Sequence, residues 1–132
     1  MSAPEMPFME RMTSSEARAH TRAALIPLCE SLPPDRARRL LEDALLVVSE
    51  LVGNALNHGG GVNHFCTREQ DGEFVVEIGD RSSVPPRTIP YDPSVPGGFG
   101  WLMVHSLSRS VTVRHHEEGK IIIAVLDGVS YS

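Results

Sequence analysis

One long amphipathic stretch restricts the fold more than anything else in the chain. From Asp35 to His58, Leu40, Leu41, Ala44, Leu45, Val48, Leu51, Val52 and Ala55 recur at three- and four-residue steps, the signature of a helix with one apolar face. Pro33-Pro34 opens the stretch and Gly59-Gly60-Gly61 stops it. At about 1.5 Å per residue such a helix runs roughly 36 Å, long enough to cross one face of a sheet in a small domain. Its stripe needs that sheet as a partner.

The flanking segments supply one. A second helix is expected from Ser14-Ser15-Glu16, with a capping residue leading into Ala17, Ala19, Ala23, Ala24, Leu25 and Leu28, and ending near Leu32; Pro27 shortens or kinks it. Strands are expected at Val62 to Thr67 and Phe74 to Ile78, joined through Asp71-Gly72, and at Val111 to His115 and Lys120 to Leu126, joined through Glu117-Glu118-Gly119. A short helix from Gly100 to Ser108 precedes the second pair. Residues 1 to 13 read equally as an edge strand or a loose tail, and the Pro- and Gly-rich run from Ser82 to Gly100 is a loop too long to lack a purpose in a compact domain. Together these elements predict one α+β domain over residues 1 to 132, a two-layer α/β sandwich. Its mixed, mostly antiparallel sheet of four or five strands is covered on one face by helices.

Composition narrows the function classes. The 132 residues are 41% hydrophobic and 22% charged, which excludes disordered and collagen-like chains. No apolar run approaches the roughly 20 residues that span a bilayer, and Met1 to Glu5 lacks the start of a signal peptide, so the expectation is a cytoplasmic protein with no membrane partner. Seventeen acids against 12 bases give a net charge of -5, which offers no field for phosphate backbones and predicts no direct nucleic-acid partner. Arg36, Arg38 and Arg39 read as a solvated helix face, and Cys29 and Cys66 as reduced thiols. His64 and Cys66 share a strand face, but no third or fourth zinc ligand is visible beside them.

Three polar features stand out against this background. Glu50, Asn54 and His58 stand at i, i+4 and i+8 of the long helix, so they form one row beside strongly apolar neighbours. The row is either a plain exposed face or the wall of a cleft. Asp80 follows an apolar strand, where an acid is a turn former or an acceptor for an exocyclic amine. Gly97-Gly98-Phe99-Gly100 begins a helix, where glycines form a hinge or bring backbone amides up to an anion.

In the order Glu50-x-x-x-Asn54-Ala55-x-x-His58, strand-Asp80, Gly98-x-Gly100, the chain resembles the GHKL ATP-binding superfamily, the Bergerat fold of histidine kinases and gyrase. The stretch Leu45-Leu46-Val47-Val48-Ser49-Glu50-Leu51-Val52-Gly53-Asn54-Ala55 looks like the anti-sigma-factor serine kinases and their actinobacterial relatives, and the likeness covers roughly residues 14 to 126. The resemblance implies ATP and ADP as ligands, Mg2+ as cofactor, and a sigma factor and an antagonist protein as partners; relatives of this kind often form homodimers. It implies that Glu50 is the catalytic carboxylate, Asn54 the magnesium ligand and His58 a neighbour of the phosphates. Asp80 would hold the adenine amine. Gly98 and Gly100 would form the hinge and phosphate-facing backbone at the end of a nucleotide lid spanning residues 84 to 97, with Arg87 its nearest helpful charge.

The chain also departs from that family. Phe99 and Trp101 flank Gly100 where a leucine and often a basic residue usually follow the glycine motif, and the last strand reads Gly119-Lys120-Ile121-Ile122 where a threonine commonly follows the glycine closely. Asp80-Arg81-Ser82-Ser83 lacks an extra glycine seen in many relatives. These departures define a rival reading, a nucleotide-binding-impaired, anti-sigma-like interaction module without catalysis.

Overall fold

A computed structural model of the protein describes residues 12–84 and 100–131. Its first helix, α1 (Ser14–Glu30), begins with a reciprocal cap. Thr13 Oγ1 accepts from the Glu16 backbone N–H at 3.1 Å, and the Glu16 carboxylate accepts from the Thr13 N–H at 2.9 Å. The cap is therefore Thr13, one residue before the run of serines that marks the helix in the sequence. Pro27 lies inside the helix, which continues to Glu30.

The long helix α2 (Pro34–His58) forms as its periodicity predicts, with proline in its first turn, where the missing N–H removes no intrahelical bond. It buries Leu40, Ala44, Val47, Val48, Leu51, Val52 and Ala55. Arg36, Arg38 and Arg39 are exposed, as expected of a solvated face. Against these helices lies a four-stranded sheet of β1 (Val62–Gln70), β2 (Glu73–Asp80), β3 (Ser110–His116) and β4 (Gly119–Asp127) in the order β1-β2-β4-β3, every pair antiparallel. Val62, Phe65, Phe74, Val76, Ile78, Ile122, Ala124 and Leu126 complete the core with the two helices. The α+β sandwich is the expected one.

The strands extend further than hydrophobic alternation predicts, because β1 ends in Arg68-Glu69-Gln70, whose backbone pairs with β2 although the side chains are polar and exposed. The turn carries them: Asp71 (φ 53°) and Gly72 (φ 80°) are both left-handed, the conformation of a tight hairpin whose twist matches that of its strands. Arg68 and His64 on β1 reach across to Glu77 on β2. Burial pushes the Glu77 carboxyl up, but the hydrogen bonds from Arg68 and His64 outweigh it and hold the group below its ordinary value.

Between β2 and β3 runs the short helix α3 (Gly100–Leu107), and after β4 a 3-10 turn (Gly128–Tyr131) folds back onto α2. There Tyr131 is buried and its hydroxyl donates to Asp43 Oδ2. Burial, with that hydrogen bond, pushes the phenol well above its ordinary value. Residues 1 to 11, and the lid segment from 85 to 99 with Arg87 and Gly98, lie outside the described residues. Among the described residues no helix is long and apolar enough to cross a membrane.

Candidate functional site

The polar row of α2 is where the periodicity puts it. Glu50 and Asn54 are half-buried and His58, in the last turn, is exposed. Among the described residues none of the three makes a side-chain hydrogen bond or ion pair. Both side chains keep part of their surface in water, and no protein group among the described residues takes up their polar atoms. The row passes from two half-buried side chains to an exposed one at the helix end.

Gly100, the first residue of α3, closes onto this row. A Cβ at Gly100 would overlap the Glu50 carboxylate, so the missing side chain lets that carboxylate lie against the start of α3. The contact sets the Glu50 carboxylate beside the N-terminal end of α3, where the helix dipole favours negative charge. Two residues separated by fifty positions in the sequence are thereby brought together. Trp101, which follows, packs against the core and makes an edge-to-face contact with His105 at 4.6 Å between ring centres.

Asp80 ends β2 and is buried, at 5% exposure. The C-terminus of α2 is folded over it: the Arg81 N–H donates to the Gly59 carbonyl at 2.9 Å, and a Cβ at Gly59 would come within 2.5 Å of Asp80 Cγ. Gly59 stops the helix and also makes room for the carboxylate, a second role that its place in a glycine run does not reveal. Asp80 Oδ1 accepts from the Ser82 N–H at 2.9 Å. Its main partner, however, is Lys120 on β4, also 5% exposed, whose Nζ donates to Oδ1 at 2.9 Å and to Oδ2 at 3.1 Å. The same ammonium lies 3.3 Å from the Ser82 carbonyl.

Sequence reasoning missed Lys120. It placed the departure in the last strand at Ile121, but Ile121 lies opposite Gly79, and a Cβ at Gly79 would be 3.2 Å from Ile121 Cγ1, on the face away from Asp80. Lys120 is the residue paired with Asp80 across the two strands. The signal was present: Lys120 has the same parity as Ile122, Ala124 and Leu126, all buried on the helix-covered face. Among the described residues no group of three or more His, Cys, Asp or Glu side chains is placed to hold a metal.

The histidine kinase-like ATPase domain matches residues 13–126 of the chain. The chain belongs to this family. It is an ATP-binding domain of the histidine kinase-like type, within the GHKL superfamily. Its fold is similar to the histidine kinase domain of a blue-light activated histidine kinase from Erythrobacter litoralis, with 20% identity and a TM-score of 0.51 over 70% of this chain and 46% of that chain. This ATPase domain thus spans less than half of that kinase domain's length. No curated protein matches the chain.

Proposed function

We propose that this ATPase-type domain binds Mg-ATP and transfers the γ-phosphoryl group to a serine of a small cytoplasmic antagonist protein, and so controls access to a sigma factor. The observation that carries the chemistry is Glu50: a half-buried carboxylate, free of side-chain partners among the described residues, beside the start of α3. In the transfer the serine oxygen bonds to the γ-phosphorus and the bond from that phosphorus to the ADP oxygen breaks. Glu50 takes the hydroxyl proton as general base. Asn54, one turn along the same face, offers a carboxamide oxygen of the hard type that Mg2+ prefers, and His58 lies one turn further toward the helix end. When bound, the metal neutralises phosphate charge. Gly100 brings a backbone N–H to the phosphates and Asp80 marks the base end of the cleft; the family resemblance assigns Gly98 and Arg87 to the phosphate end.

Thermal unfolding with ATP and ADP, with and without Mg2+, tests the binding. Near a hundred times the dissociation constant the native state gains about 2.7 kcal/mol, which raises the midpoint by several degrees in a domain of this size. The Mg2+-dependent part of that rise shrinks in Asn54→Ala. No shift at millimolar nucleotide would sink the proposal and leave the second reading, a nucleotide-independent interaction module, which the closed Asp80–Lys120 pair favours.

A further inference from the structure

At the base end of the cleft, three of the roughly four acceptor sites of the Asp80 carboxylate are taken before any ligand arrives. An aspartate selects a purine 6-amino group only if one of its oxygens is available as an acceptor. Here Oδ1 already accepts from the Ser82 N–H and from Lys120, and Oδ2 accepts from Lys120 on a side pressed against the Gly59 backbone. The three protons of the ammonium face three acceptors, the two carboxylate oxygens and the Ser82 carbonyl. Neither residue of the pair is more than 5% exposed, and Gly119 before Lys120 fixes the strand, because a Cβ there would overlap the Asp80 carbonyl oxygen. The ammonium therefore stands where an amine donor of a base would have to stand.

We infer that Lys120 is a specificity-determining residue that occupies the Asp80 acceptor internally, so that the cleft binds purine nucleoside triphosphates without selecting the 6-amino group of adenine. This rests on the proposed nucleotide cleft and concerns only how its base end reads a ligand. A site built to hydrogen-bond a donor discriminates by orders of magnitude against the analogue that lacks it, because its buried acceptor is left unpaired. A site whose acceptor is already paired has no such penalty. Affinity then comes from the phosphate end, where the polar groups of α2 are free.

The test compares Mg-ATP with Mg-ITP, which carries a 6-oxo group in place of the 6-amino group, by calorimetric titration of the wild type, Asp80→Asn and Lys120→Thr. The expected result is a ratio of dissociation constants within about threefold for the wild type and for the isosteric Asp80→Asn, and a preference for ATP of about tenfold or more in Lys120→Thr. Binding of ATP by Lys120→Thr alone, with a silent wild type, overturns the inference, because the native cleft then accepts no purine triphosphate at all. A wild type that already prefers ATP by about tenfold, or an Asp80→Asn change that alters the ratio by that much, overturns the inference while leaving the nucleotide cleft intact. Equal ratios in the wild type and in folded Lys120→Thr overturn it too. If neither nucleotide binds any of the three proteins, the nucleotide cleft itself fails and the inference with it.

Discussion

The two ends of the cleft treat their polar groups in opposite ways. At the α2 end, Glu50 and Asn54 are half-buried and have no side-chain partner among the described residues. At the strand end, Asp80 and Lys120 are buried almost completely and consume each other's hydrogen-bonding capacity. Groups that no protein atom takes up remain available to solvent or to a ligand. Satisfied groups at the other are part of the folded structure, whatever chemistry their residue types suggest.

If this contrast holds, the largest effect on stability comes from splitting the closed pair. Lys120→Met should destabilise the domain by about 3–5 kcal/mol in urea titrations, because it leaves the Asp80 charge buried without its ammonium. The double variant Asp80→Leu with Lys120→Met should recover most of that loss; equal losses in single and double variants would mean that packing, not charge, holds this end together. At the open end the order of effects reverses. Glu50→Ala should lower ADP formation from ATP by about a hundredfold, equivalent to roughly 2.7 kcal/mol at the transition state, while its unfolding midpoint stays at the wild-type value. A large fall in that midpoint would show that Glu50 is structural after all.

The smallest effect lies outside the cleft and calibrates both. Tyr131→Phe removes the hydrogen bond to Asp43 and should cost about 1 kcal/mol. The raised tyrosine pKa gives a contribution fully present below the ordinary phenol value of about 10 and lost as pH rises toward the folded-state value. The phenylalanine variant should lack that alkaline decline, which urea titrations between pH 8 and about 11 would reveal.

The sequence made the helices and their polar row legible because an amphipathic period of 3.6 leaves a strong trace over 25 residues. The four strands were legible in place but not in length, since Arg68, Glu69 and Gln70 are held in β1 by a turn and not by an apolar pattern. Glu50, Asn54 and Asp80 stood out by residue type and spacing. What they touch did not: the contact of Glu50 with Gly100 and the pairing of Asp80 with Lys120 depend on register between elements forty to fifty positions apart. Lys120 was overlooked because a lysine in an apolar strand is ordinarily read as an edge or surface residue, and only the alternation of its neighbours places it inside.

The open end of the cleft also bears on engineering the domain. Gly53 lies in the C-terminal third of α2, between Glu50 and Asn54 in the chain, and a Cβ there would meet no atom of the described residues outside its own stretch of helix within 4 Å. A glycine in a helix interior gives up roughly 1 kcal/mol relative to alanine, so the chain forgoes stability at a position where a larger residue would fit. Thermostabilisation would begin there by routine. Gly53 also stands between Glu50 and Asn54 along the helix, so the turnover of the alanine variant, measured beside its melting temperature, shows whether stability and function separate at this position.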